Sequence, residues 1–395
     1  MNFKVPFKIT FWRVVLILIW LAGIVATIVR FTGGLGAATN LSDRFPWGLW
    51  IGFDVLCGIG LAAGGFTIAA IVYIFRIKRF YPVLRPALLT AFLGYLMEIV
   101  AVLFDLGMPL RIWHPVIWWN PRSALFVVGW CVMLYTTILA LEFSPALFER
   151  LSWGGPRKWI GRVTVPLVIA GVIISTLHQS SLGSLYLIMP EKLHPFWYSP
   201  LLPFLFFLSA VAVGCAMVIF ESHLSYRAFG HRLKLDVLAD LGRVILVTLV
   251  VYMILRIQDF SGRGVWAYAF QNRTETLLFW LEALVGVIGP IILLSIKRIR
   301  LSARGLYYVS VCTITGFLLN RLNVAVTGME ASAGMRYFPS WMEVAITLAI
   351  VATEFFIFAL AVRYLPVFEH PETDSEPETA AARPEVLPAQ LARKP

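Results

Sequence analysis

Charge is what this sequence has least of. Asp, Glu, Lys and Arg make up 14% of its 395 residues, against 59% hydrophobic residues and a mean hydropathy of +0.80. Soluble domains carry roughly a quarter of charged residues, and a chain this poor in charge cannot coat itself with a surface that water accepts. Cysteine is scarce as well. Cys57, Cys131, Cys215 and Cys312 are far apart, with no C-x-x-C pair. That excludes an iron-sulfur ferredoxin domain, c-type haem attachment and a zinc site of ordinary spacing within this chain. The four read as small apolar packing residues. There are six histidines: His114, His178, His194, His223, His231 and His370. Membrane haem usually takes two imidazoles from helices at matching depth. Only His178 is placed inside an apolar run, so the sequence predicts neither haem nor another metal site.

What the sequence has in abundance is apolar runs of roughly 20 residues, the length a helix needs to cross a hydrocarbon core. Spans are predicted near 12–30, 50–75, 87–107, 123–144, 162–180, 201–222, 240–258, 276–296, 305–322 and 341–364. The first, Trp12 to Val29, is long enough to span and has no small-residue cleavage site after it, so it reads as a retained helix. The predicted fold class is an all-α integral membrane protein of about ten transmembrane helices. Residues 1–366 form one polytopic domain. A tail rich in Pro, Glu and Ala at 367–395 reads as cytoplasmic and disordered.

The formal charge of +11 sits at helix ends, which argues against nucleic acid. Of 33 Lys and Arg residues, 23 fall on the N-terminal stub, the loops after even-numbered spans and the C-terminal tail. The positive-inside rule then puts both termini in the cytoplasm of a bacterial inner-membrane protein. The opposite loops, 31–49, 108–122, 181–200, 259–275 and 323–340, would face the periplasm. They are rich in Trp, Tyr, Pro and Gly. Trp47, Trp113, Trp118, Trp119 and Trp197 suit an interfacial aromatic belt, and loops of this size also offer a docking surface for a periplasmic partner.

Ionisable groups inside spans are expensive and so mark candidate sites. Asp54, Asp105, His178, Arg256, Glu282 and Arg321 are placed at one level near the outer face, with Arg111 in a flanking loop. Taken singly, each reads more readily as an interhelical ion pair or a helix cap. Gathered at one depth, they suit a lipid-soluble quinone, which needs a hydrogen-bonding group for each carbonyl oxygen and a side chain that exchanges protons with water. His178 is the natural candidate, because imidazole titrates near neutral pH. Asp54 is placed to pass a second proton. The quinone and proton-exchange set is therefore His178, Asp54, Asp105, Arg111 and Trp47, flanked by an outer-leaflet polar cluster of Arg256, Glu282 and Arg321. Deeper acids, Glu98, Glu142 and Glu221, form a candidate proton path together with Glu354. For Glu142 and Glu221, close to the interface, simple pairing with Arg150 and Arg227 is the favoured reading. The small-residue stretch CGIGLAAGG, Cys57 to Gly65, suits close helix packing first, and secondly room for a flat quinone ring beside Asp54.

Several motifs carry a family resemblance: FPWGLWIGFD (Phe45 to Asp54), GLAAGG, RPALL (Arg85 to Leu89), ALEFSPALFERL (Ala140 to Leu151), HQSSLGSL (His178 to Leu185), HPFW (His194 to Trp197), FWLE (Phe279 to Glu282) and YFPSW (Tyr337 to Trp341). On these, from Gly33 to about Pro366, the chain resembles the NrfD-like membrane subunits of respiratory complexes. It is most similar to the HybB-type subunit of periplasmic nickel-iron hydrogenases. The resemblance implies NrfD-like helix bundles and a subunit without haem or iron-sulfur cluster. It implies electron exchange between a periplasmic four-cluster iron-sulfur protein and the quinone pool, menaquinone or ubiquinone. It also implies hydrogenase large and small subunits as catalytic partners and, by analogy, proton translocation. A relative's acidic residue in span 4 falls at Val127 here, which weakens a proton route copied from relatives. NrfD-like subunits also serve polysulfide and other sulfur-metabolism complexes. A proton-coupled transporter would use the same buried charges, as would a passive anchor, but the inverted repeat and midplane site of a transporter are not evident.

Overall fold

The computed structural model describes residues 10–230 and 233–368, and the tail beyond Phe368 lies outside the described residues. Ten apolar helices run through it: α1 Phe11–Gly33, α2 Trp50–Ile74, α3 Lys78–Asp105, α4 Ala124–Arg150, α5 Gly154–Leu187, α6 Leu202–Ala228, α7 Leu235–Arg263, α8 Thr274–Ser295, α9 Ala303–Ala333 and α10 Trp341–Tyr364. Each is long and apolar enough to cross a membrane. The protein is a multi-pass, all-α integral membrane protein.

Packing sorts the helices into two consecutive four-helix bundles. In the first, α2, α3, α4 and α5 close a ring of neighbours, and α6, α7, α8 and α9 close the second. The bundles meet where α6 lies against α2 and α5, while α1 pairs with α10, which lies along α3. Burial follows this order: 78% of the apolar window of α2 is covered by protein, and only 17% of that of α1. Lipid is as apolar as leucine, so close approach between membrane helices needs small residues. A Cβ at Gly214 would lie 2.6 Å from the Ala63 carbonyl carbon and the Gly64 nitrogen, which fixes the crossing of α6 on α2. Gly286 and Gly316 do the same for α8 on α9. In the GLAAGG stretch Gly64 and Gly65 are thus spent on packing, while Leu61 and Ala62 line a cavity.

Two helices outrun the hydropathy that announced them. α5 was expected over 162–180 and reaches Leu187, because the polar HQSSLGSL stretch stays helical and turns His178, Gln179, Ser181 and Gly183 into protein. α9 continues beyond Leu322 through a π-helical turn at Asn323–Thr327. Another π turn, Trp50–Val55, opens α2 and carries Asp54. Such turns add a residue to the helix and often mark functional positions.

Candidate functional site

The helix ends at Trp50, Asp105, Leu187, Arg263 and Trp341 share a tryptophan-rich face, and the opposite ends share a basic face. A cavity of about 540 Å³ runs between α2, α3, α6 and α10. Its walls are mainly aliphatic and aromatic, with Gly58, Ala62 and Gly94 leaving the room. It extends from Phe53 and Asp54, in the first turns of α2, to Arg227 and Ala228 at the basic end. Four carboxylates line it: Asp54, Glu98, Glu221 and Glu354.

At the tryptophan-rich end Asp54 accepts a hydrogen bond from Thr347 Oγ1 at 2.7 Å. Midway, Glu98 is 1% exposed and neither of its oxygens has a hydrogen-bonding partner. Its Oε1 lies 3.9 Å from Nε2 of His178. His178 is wholly buried, and its Nδ1 shares a 3.0 Å hydrogen bond with the Tyr95 hydroxyl. Toward the basic end the Thr90 hydroxyl donates to Glu221.

Above the cavity, two distant motifs lock together. Phe45 stacks on Tyr337 with ring centroids 4.8 Å apart. The Leu49 amide donates to the Tyr337 hydroxyl at 3.0 Å, and that hydroxyl donates to the carboxylate of Glu343. A Cβ at Gly48 would overlap the Tyr337 hydroxyl, which is why FPWG needs its glycine. Glu343 also accepts from the amides of Asn40 at 3.0 Å and Ser340 at 2.8 Å, completing the capping box that starts α10. Burial, together with this hydrogen bond to Glu343, pushes the Tyr337 phenol above its usual range. Burial likewise pushes the His194 imidazole below its ordinary value. Beside the lock, Arg30 of α1 donates to the carbonyls of Phe104 at 2.7 Å and Leu106 at 2.6 Å, clamping the end of α3 that carries Asp105.

The polar ring expected at one outer level is divided by the fold. Asp54 and Asp105 lie near the tryptophan-rich end of the first bundle, whereas His178 lies nine residues inside the end of α5. Trp47 packs edge-on against Tyr186, with centroids 5.5 Å apart. Arg111 sits exposed in the turn Pro109–Arg111, away from the cavity lining. Arg256, Glu282 and Arg321 belong to the second bundle. There Glu282 accepts from Trp197 at 2.9 Å, Asn320 at 2.7 Å and Asn323 at 2.9 Å, with Arg256 3.9 Å away. Arg321 donates to Asn320 at 2.6 Å and Ser209 at 2.8 Å, between the rings of Phe206 and Phe317. Glu142 faces Gly171 of α5 and does not line the cavity, whereas Glu221 does. His223, just beyond the span that hydropathy predicts, lies within α6 and stacks on Tyr307 at 4.5 Å. Thr347, Tyr95, Tyr337, Glu343 and Arg30 were not singled out from sequence. Glu343 had a usable signal, since S-x-x-E before an apolar run is a capping-box pattern. Among the described residues, no group of three or more His, Cys, Asp or Glu is placed to hold a metal ion.

Ten apolar helices in two bundles, with carboxylates along a buried cavity, define a polytopic membrane protein with a polar interior. The sequence model of the family described as "Polysulphide reductase, NrfD" matches residues 37–332. The chain belongs to the NrfD family. A protein of Nitratidesulfovibrio vulgaris is 39% identical over 367 residues, covering 90% of this chain and 94% of its own length. The probable Ni/Fe-hydrogenase 2 b-type cytochrome subunit of Escherichia coli is 34% identical over 349 residues, with 86% and 88% covered. The integral membrane subunit of menaquinone reductase from Nitratidesulfovibrio vulgaris is 28% identical over 392 residues, with 91% and 92% covered.

Proposed function

We propose that this chain is the quinone-reactive membrane subunit of a respiratory oxidoreductase complex. In this reading it passes electrons between a periplasmic iron-sulfur subunit and the membrane quinone pool, most closely in the manner of a nickel-iron hydrogenase. The observation that carries it is the cavity holding Asp54 at one end and the unpaired Glu98 within. An apolar channel with a few placed polar groups is what a lipid-soluble quinone requires. The cavity offers that, with Asp54 and Thr347 as the polar groups at its tryptophan-rich end. A bound quinone supplies the acceptor for two electrons and two protons.

The residues of this chain orient and protonate. Thr347 holds the Asp54 carboxylate in place, and Asp54 exchanges a proton at the quinone oxygen. Glu98, beside His178, relays protons within the cavity, and Glu221 and Glu354 extend that path toward the basic face. The basic face is the cytoplasmic one, by the distribution of Lys and Arg. The tryptophan-rich face then meets the iron-sulfur partner in the periplasm. Arg111 and Trp47, near that face, belong to the entrance rather than to the cavity wall.

The test uses the assembled complex. Asp54→Asn is expected to lower quinone-linked turnover by about two orders of magnitude, the scale of a lost proton-transfer group, while dye-linked turnover is kept. Intact quinone-linked turnover in that variant overturns the site. Its parallel is His178→Ala, for which unchanged quinone reduction removes His178 from the path.

A further inference from the structure

Seven buried side-chain polar atoms among the described residues have no hydrogen-bonding partner, and five of them fall together between α3, α4 and α5. They are both carboxylate oxygens of Glu98, Nε2 of His178, the Tyr135 hydroxyl and Oγ of Ser175. The sequence puts them in register. Tyr95 and Glu98 are three residues apart on α3; Cys131, Tyr135 and Glu142 recur on one side of α4; Gly171, Ser175 and His178 share a side of α5. The rings of Tyr95 and Tyr135 meet edge to face at 4.7 Å, and Tyr95 in turn holds His178. Ser175 lies near both tyrosine hydroxyls, and the Phe66 backbone near that of Tyr135, but none of these contacts is a well-aligned bond. Three helices thus turn a polar stripe inward, along a seam separate from the cavity lining except at Glu98.

An unpaired buried polar group is costly, and five in one place are not sustained by the surrounding packing alone. Buried water typically makes about three hydrogen bonds to such groups. Glu98 and His178 stand 3.9 Å apart, too far for a direct hydrogen bond but within the span of one shared water. We propose that this seam is a binding site for a small cluster of ordered internal water, held by Glu98, His178, Ser175 and Tyr135. At its lower end Tyr135 and Glu142 both come within 3.5 Å of the Cβ position of Gly171. The water therefore connects Glu98 to Glu142, giving a branch toward the basic face that bypasses the cavity. This also gives Glu142 a place that the cavity does not.

The site stands apart from the quinone reading and is tested without turnover. Synchrotron X-ray footprinting of the intact complex in lipid nanodiscs generates hydroxyl radicals from water wherever it is bound. Mass spectrometry then finds the oxidised side chains. Tyr135 is 1% exposed, as are Phe206 and Phe260, which serve as equally buried controls. The expected result is oxidation of Tyr135 above both controls in the wild-type complex once each is divided by the intrinsic reactivity of its ring, and loss of that excess in Ser175→Val, which replaces a hydroxyl partner by methyl groups. Tyr135 at the control level in the wild type overturns the proposal, even if the variant fails to assemble. So does an undiminished excess in an assembled variant. A complex that labels as expected but does not reduce quinone would sink the quinone reading and leave the water site standing.

Discussion

Glu98 combines 1% exposure with two oxygens that no protein group satisfies. A buried polar group that no protein partner satisfies costs about 1–3 kcal/mol, a cost that an apolar side chain of similar size does not carry. Glu98→Leu should therefore raise the melting temperature of the complex while quinone-linked turnover falls; a loss in both would make Glu98 a structural residue. Gly48 behaves oppositely. A methyl group there meets the Tyr337 hydroxyl, so Gly48→Ala should destabilise by about 1–3 kcal/mol, the usual range for overpacking. Adding Tyr337→Phe should return part of that loss in a double-mutant cycle read by thermal unfolding. Ionisable candidates such as Asp54, Glu98 and His178 were legible from sequence, because charge inside an apolar run has few structural excuses. Their partners were not. Thr347, Tyr95, Tyr135 and Ser175 are neutral, and a hydroxyl in a membrane helix gives no sign of direction until the neighbouring helix is known. Arg30 was hidden for another reason: at the end of an apolar run it reads as an ordinary flanking cation.

The helices themselves were legible in number and approximate position, since twenty apolar residues in a row leave few alternatives. Their ends were not. Hydropathy stops at residue 180 in α5, yet the helix continues, because the serines and the imidazole that lower the average are turned into protein rather than toward lipid. That extension sets His178 deeper than its place in the sequence suggested. Pairing between helices was foreshadowed only by small residues. Gly214 has no space for a side chain against Ala63 and Gly64, so Gly214→Leu should separate the bundles and prevent recovery of an assembled complex by size-exclusion chromatography. Normal assembly of that variant would show that the α2–α6 crossing is not what joins them.

For the whole molecule, the motifs signalled the NrfD family before any contact was known, and the division into two bundles gives that family likeness a physical form. Orientation rests on charge alone. Alkaline phosphatase, active only outside the cytoplasm, should be active when fused after residue 190 and inactive when fused after residue 153; the reverse pattern would invert the whole assignment. The placement of α10 bears on how such a chain is made. Ile350, Glu354 and Phe358 supply one wall of the cavity, and α10 follows the other nine spans among the described residues. Until it arrives, the cavity that Glu98 and Glu221 line lacks one of its four walls. A chain ending before residue 341 lacks that wall, so on the proposed function it has no finished route for protons.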